Sequence, residues 1–125
     1  MSTVFSKIIS GEIPSYKIYE DEDTFAFLDI NPESKGHLLI VPKVEVDKVY
    51  DLPDEKWDAV WRTAKKLSKH MDNVLDKRIL MKVIGTDVPH AHVHLIPFNE
   101  DWQQGLVVDV SPEEMQEITD KLKLY

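Results

Sequence analysis

The chain contains no cysteine, which removes a disulfide framework and any thiolate metal site. It also lacks a surplus of positive charge: 15 Lys and Arg against 23 Asp and Glu leave a formal net charge of −8. Sequence-independent nucleic-acid binding needs a field of cations to displace counterions from phosphates, so that class is disfavoured. A small phosphate-bearing ligand stays open, because a few local donors suffice to hold it. Long apolar stretches are missing too. The longest run, Leu38 to Val41, falls far short of the roughly 20 residues that span a bilayer. Residues 1–7 show no basic region followed by an apolar segment, so no signal peptide is expected and the cytoplasm is the default location.

What is present suits one domain. A length of 125 residues with a hydrophobic fraction of 42% supplies one core without needing metal or disulfides. Phe5, Ile8, Ile9 and Ile13 recur at helix-like spacing before Pro14, so residues 4–13 read as a short amphipathic helix or turn. Strands are predicted over residues 16–19, 24–28, 37–41, 78–84 and 91–96. The clearest element is a long helix opened by Pro53, Asp54 and Glu55. Its apolar face comprises Trp57, Val60, Trp61, Ala64, Leu67, Met71 and Val74, with Lys65, Lys66 and Lys69 on the solvated side and His70 without a role. Ser111-Pro112-Glu113-Glu114 is a capping box that opens a final helix through Met115, Ile118 and Leu122. Strands joined mostly by short turns, with two main helices, imply an α+β fold on a five-stranded antiparallel sheet.

Five histidines occur in the chain, and three of them alternate with apolar residues in His90-Ala91-His92-Val93-His94-Leu95-Ile96-Pro97. On a strand, alternate side chains share a face, which spaces these imidazoles about 7 Å apart and sends Ala91, Val93 and Leu95 into the core. Three readings compete. The histidines are a solvated strand face, a metal site, or a catalytic group. A metal held by all three is strained, because the outer pair sits about 13 Å apart while zinc needs each nitrogen at about 2 Å. For catalysis, a neutral imidazole attacks phosphorus directly, and its neighbours stabilise phosphate charge or protonate a leaving group. Geometry alone tilts toward catalysis.

Residues 90–96 resemble the signature of the histidine triad (HIT) family, in which three histidines alternate with apolar positions. The resemblance extends over Phe5 to Pro14, Phe25 to Pro32 and Gly36 to Lys43, in the family's order. It implies a homodimer of HIT-like α+β protomers that binds a small-molecule purine nucleotide, with no nucleic acid, membrane or cofactor. By the same resemblance His92 is the nucleophile, forming a covalent nucleotidyl-histidine. His94 bonds the phosphate, His90 supports, and His37 stands beside the triad. Asp29 matches the acceptor of the ribose hydroxyls. Phe5, Ile8, Ile13, Phe27 and Ile30 match the apolar slot for the purine. The Hint-like branch implies hydrolysis of nucleoside 5′-phosphoramidates without a metal.

The chain departs from the family pattern in four places. Thr3 and Ser6 stand where many bacterial members carry the cysteines of a structural zinc site, and Glu45 replaces its histidine, so no such zinc is expected. No Asn or Gln falls in the lead-in 82–88, where the family holds phosphate with amides; Thr86 and backbone near Gly85 are the candidate substitutes. Asp87 occupies a position often held by Ser or Thr, either turned away from the phosphate or protonated toward the leaving group. Phe98 stands where arginine is frequent. The expected activity is a nucleoside phosphoramidate hydrolase. The alternatives are a dinucleoside polyphosphate hydrolase and a nucleotide-binding regulator with weak catalysis.

Overall fold

The computed structural model describes residues 3–125. Met1 and Ser2, the start of the segment read for a signal peptide, lie outside the described residues. Helix α1 spans Val4–Ser10; strands β1 (Lys17–Glu20), β2 (Thr24–Leu28) and β3 (Leu38–Pro42) precede the long helix α2 (Asp54–Leu75). Strands β4 (Ile79–Lys82) and β5 (Val93–Pro97) and helix α3 (Pro112–Leu122) complete the order. All strand pairs are antiparallel, in the order β1-β2-β3-β5-β4. No helix among the described residues is long and apolar enough to cross a membrane.

Both faces of the central strands are covered, so β2, β3 and β5 are buried at every position and read as continuous apolar runs rather than alternating ones. Ala26, Leu28, Leu38, Ile40, Val93 and Leu95 face α2 and α3 in the main core. Phe25, Phe27, Leu39 and Val41 point the other way and pack under Phe5 of α1. The second face carries the site, because Leu39 is paired with His94 across β3 and β5.

Local signals explain the boundaries. Helix α1 ends at Ser10, not Ile13, because Gly11 adopts a left-handed conformation with φ 86° that suits glycine best. The capping box at Ser111 and Glu114 forms in full. Helix α2 buries Val60, Ala64, Leu67 and Met71 as its periodicity requires, but Trp57 and Val74 remain exposed and Thr63 is buried instead. Thr63 bonds the Thr24 hydroxyl across the core at 3.0 Å. His70 has a structural role that the sequence left unread: its Nε2 donates to the Leu122 carbonyl at 2.9 Å, fastening α3 to α2.

Candidate active site

Strand β5 begins at Val93, so His92 and His90 precede the strand instead of lying on it. Ala91 donates its N–H to the Val46 carbonyl at 2.7 Å, and His90 to that of Val88 at 2.8 Å. This backbone therefore turns away from β3 just before the ladder starts. The alternation survives: Ala91, Val93 and Leu95 enter the core as predicted. The solvated-face reading does not survive, since His90, His92 and His94 are all buried.

The tautomers follow from the partners. The ring Nδ1 of His92 lies 2.7 Å from the His90 carbonyl, an acceptor only, so Nδ1 carries the proton and Nε2 keeps its lone pair. That Nε2 is buried without a hydrogen bond. A carboxylate oxygen of Asp87 sits 3.2 Å from it but lacks hydrogen-bond alignment. The Phe5 ring meets His92 edge-on, with centroids 5.0 Å apart.

A second chain of bonds fixes His94. The backbone N–H of Glu33 donates to His37 Nδ1 at 2.9 Å, so the proton of neutral His37 is on Nε2. That nitrogen lies 2.9 Å from His94 Nδ1 and donates to it, leaving His94 with an Nε2–H donor. Ring centroids of His92 and His94 are 5.1 Å apart. Both relay histidines are neutral near pH 7: burial, then the neighbouring His94, lowers His37 to about 3, and burial, then His92, lowers His94 to about 4. Loop 33–37 is braced in turn, as Glu33 pairs with Lys82 of β4 and accepts from Trp102 Nε1 at 3.1 Å. Gly36, with φ 98°, lets this loop turn where a Cβ would press on Pro97.

Phe5, Ile8, Ile13, Phe27, Asp29, Ile30 and Asp87 all line one cavity of about 260 Å³, together with Val4, Leu39 and Val88. The Asp29 carboxylate accepts the Asn31 N–H at 2.8 Å, while burial, outweighing that bond, keeps its carboxyl above the usual carboxylate range. Thr86 is placed elsewhere. It lines a second cavity, of about 430 Å³, with Gly85, Lys48, Tyr50 and His92. Glu33, Val88 and the His37–His94 relay escaped the sequence reading; only the burial of a charged residue, invisible in sequence, distinguishes Glu33.

Among the described residues, two groups place ligand-type atoms within 4.8 Å of one another: Asp29, His37, His94 and Asp87, His92, His94. Neither offers a metal enough free nitrogen lone pairs. Both nitrogens of His37 are occupied, and His94 must break the relay to turn a lone pair outward. The arrangement instead aims one lone pair, on His92, and one donor, on His94, at a shared position beside Asp87. That is the pairing a phosphorus electrophile requires.

Comparison with known proteins finds relatives of the whole fold. The family model "HIT domain" matches residues 10–101. Adenosine 5′-monophosphoramidase of Saccharomyces cerevisiae is 43% identical over 109 residues, covering 84% of this chain and 67% of that protein. Purine nucleoside phosphoramidase of Escherichia coli is 37% identical over 101 residues, covering 75% of this chain and 85% of that one. A crystal structure of a zinc-bound histidine triad family protein from Mycobacterium smegmatis superposes with a TM-score of 0.83 at 26% identity, covering 98% of this chain and 94% of that chain.

Proposed function

The chain belongs to the HIT domain family, and from that premise we propose that it hydrolyses purine nucleoside 5′-phosphoramidates or related nucleotidyl adducts through a covalent intermediate on His92. The supporting observation is the lone pair of His92 Nε2, buried, unbonded and held outward by the Nδ1–H bond to the His90 carbonyl. In the first step Nε2 forms a bond to the α-phosphorus as the phosphorus–nitrogen bond breaks. The departing amine takes one proton. Water then attacks the phosphorus, loses a proton, and releases the nucleotide with His92 restored. The Nε2–H of His94 donates to a phosphate oxygen as charge builds. Asp29 and the apolar cavity beside it accept ribose and base.

We assign the amine's proton to Asp87, at the site's mouth. Asp87, whose side chain is 59% exposed, reaches to 3.2 Å from the nucleophilic nitrogen. As an ionised group it repels phosphate; as a protonated one it supplies the amine. Asp87→Asn is therefore expected to lower kcat on AMP-morpholidate by about 100-fold, the usual scale of general acid catalysis. Identical turnover and pH profile in the variant and the wild type sink the acid role. A diadenosine polyphosphate assayed in parallel separates the branches: faster turnover of that substrate favours the polyphosphate hydrolase. Nucleotide binding with no turnover of either favours a regulator.

We also read the chain as a homodimer. Strand β4 is an edge of the sheet, and Met81, Val83 and Ile84 at and beyond its end are exposed, a combination that partner strands or helices cover. Sedimentation equilibrium checks this, and a monomer at micromolar concentration contradicts it.

A further inference from the structure

The first histidine of the triad, His90, spends both ring nitrogens on protein partners. Its Nε2 donates to the Pro42 carbonyl at 2.8 Å, so Nδ1 is an acceptor, and that nitrogen lies 2.8 Å from the Thr3 hydroxyl. Thr3 is also the N-cap of α1, where its oxygen accepts the Ser6 N–H at 3.0 Å. Glu45 closes the set: one carboxylate oxygen accepts both the Thr3 N–H at 3.0 Å and the Ser6 hydroxyl at 2.5 Å. Each hydrogen has one destination. Glu45 can only accept, Ser6 is committed to Glu45, and the Thr3 proton goes to His90.

These are the positions at which the family resemblance implies a structural zinc site, and the donor set does not fit one. Zinc takes four ligands from Cys, His and carboxylate. Here two of the positions offer neutral hydroxyls, and the His90 lone pair is already bonded. From this geometry we infer that Thr3, Ser6 and Glu45 form a metal-free latch that fixes His90, and through its carbonyl the nucleophile His92. The latch ties three parts of the site together. It holds the start of α1, whose Phe5 packs on both His90 and His92 and lines the nucleotide cavity. It also holds the 43–46 segment and the loop that carries His90 and His92. Thr3 is a positioning residue in this account, which rests on the nucleophilic role proposed for His92.

Three measurements test it. Nitrogen-15 NMR of the wild type should show His90 protonated on Nε2 and bare on Nδ1, with His92 protonated on Nδ1; a proton on His90 Nδ1 overturns the latch whatever the activity. Thr3→Val removes the hydroxyl at constant shape and should lower kcat about 10-fold, since small displacements of a reacting group are costly. Thr3→Ser should keep kcat within about twofold of the wild type. A wild-type kcat in Thr3→Val refutes the positioning role, and should that variant not fold, the wild-type spectrum decides. Protein grown with added zinc should carry only traces of the metal, whereas Thr3→Cys/Ser6→Cys/Glu45→His should acquire about one zinc per chain. Stoichiometric zinc in the wild type overturns the proposal without touching the role of His92.

Discussion

His92→Gly is expected to lower kcat on an AMP phosphoramidate by about 10⁴-fold, the scale seen when a covalent nucleophile is deleted while its supporting groups remain. His94, Asp87 and the nucleotide cavity stay in place in that variant, so KM should move little and some residual rate should persist. The cavity left by the ring opens beside Phe5 and the His90 carbonyl. Added imidazole should therefore enter it and restore part of the lost turnover. The comparison with 1-methylimidazole is the sharper readout. Both carry a nucleophilic nitrogen, but only imidazole has an N–H to return to the His90 carbonyl. Imidazole should rescue better. A variant that retains more than about one tenth of wild-type kcat contradicts the nucleophilic assignment. Equal rescue by both amines contradicts the claim that the carbonyl aims the ring.

The sequence carried the fold further than it carried the site. Antiparallel order, the long helix and the capping box at Ser111 all have local causes, periodicity and caps, and those are written in neighbouring residues. Boundaries went astray where a distant partner decided. Residues 91 and 92 leave the predicted strand because Ala91 bonds Val46, a pairing no local pattern encodes. Trp57 stays 39% exposed, its ring set against Trp61 of the same helix with centroids 5.6 Å apart. In the site, the alternation of three histidines was legible, and so was the register that sends Ala91, Val93 and Leu95 inward. The protonation of each ring was not. It is set by Glu33, Thr3, Pro42 and the His90 carbonyl, groups whose approach depends on the folded chain. Thr86 shows the converse: adjacent to Asp87 in sequence, it faces a different cavity.

Acid should unfold this protein earlier than its carboxylates alone require. In the folded chain His37 and His94 are held at about 3 and about 4 by burial and by their histidine neighbours, against an ordinary value of 6.5. As pH falls through 6.5 the unfolded chain takes up these protons and the folded chain does not. Stability is therefore complete above that point and is lost progressively on the way down, to about 4 for His94 and about 3 for His37. His90, lowered by burial, adds in the same direction. Each such histidine removes about 1.4 kcal/mol per pH unit within the window. Glu20 and Glu33, whose carboxyls are lowered by ion pairs, contribute only beneath about 4.5, so the loss between pH 6.5 and 5 belongs to the histidines. Urea unfolding across that interval should show a fall of about 2–4 kcal/mol, and a flat response refutes it. The relay itself is tested by two substitutions at one position. In His37→Gln the side-chain oxygen can accept the Glu33 N–H and the amide can donate to His94, so activity should largely persist while the pH slope loses about one proton. In His37→Leu both bonds vanish, His94 is free to take the wrong tautomer, and kcat/KM should drop about 100-fold, the scale of one lost preorganised donor. Equal activity in the two variants means that His94 does not need His37 to keep its donor pointed at the phosphate.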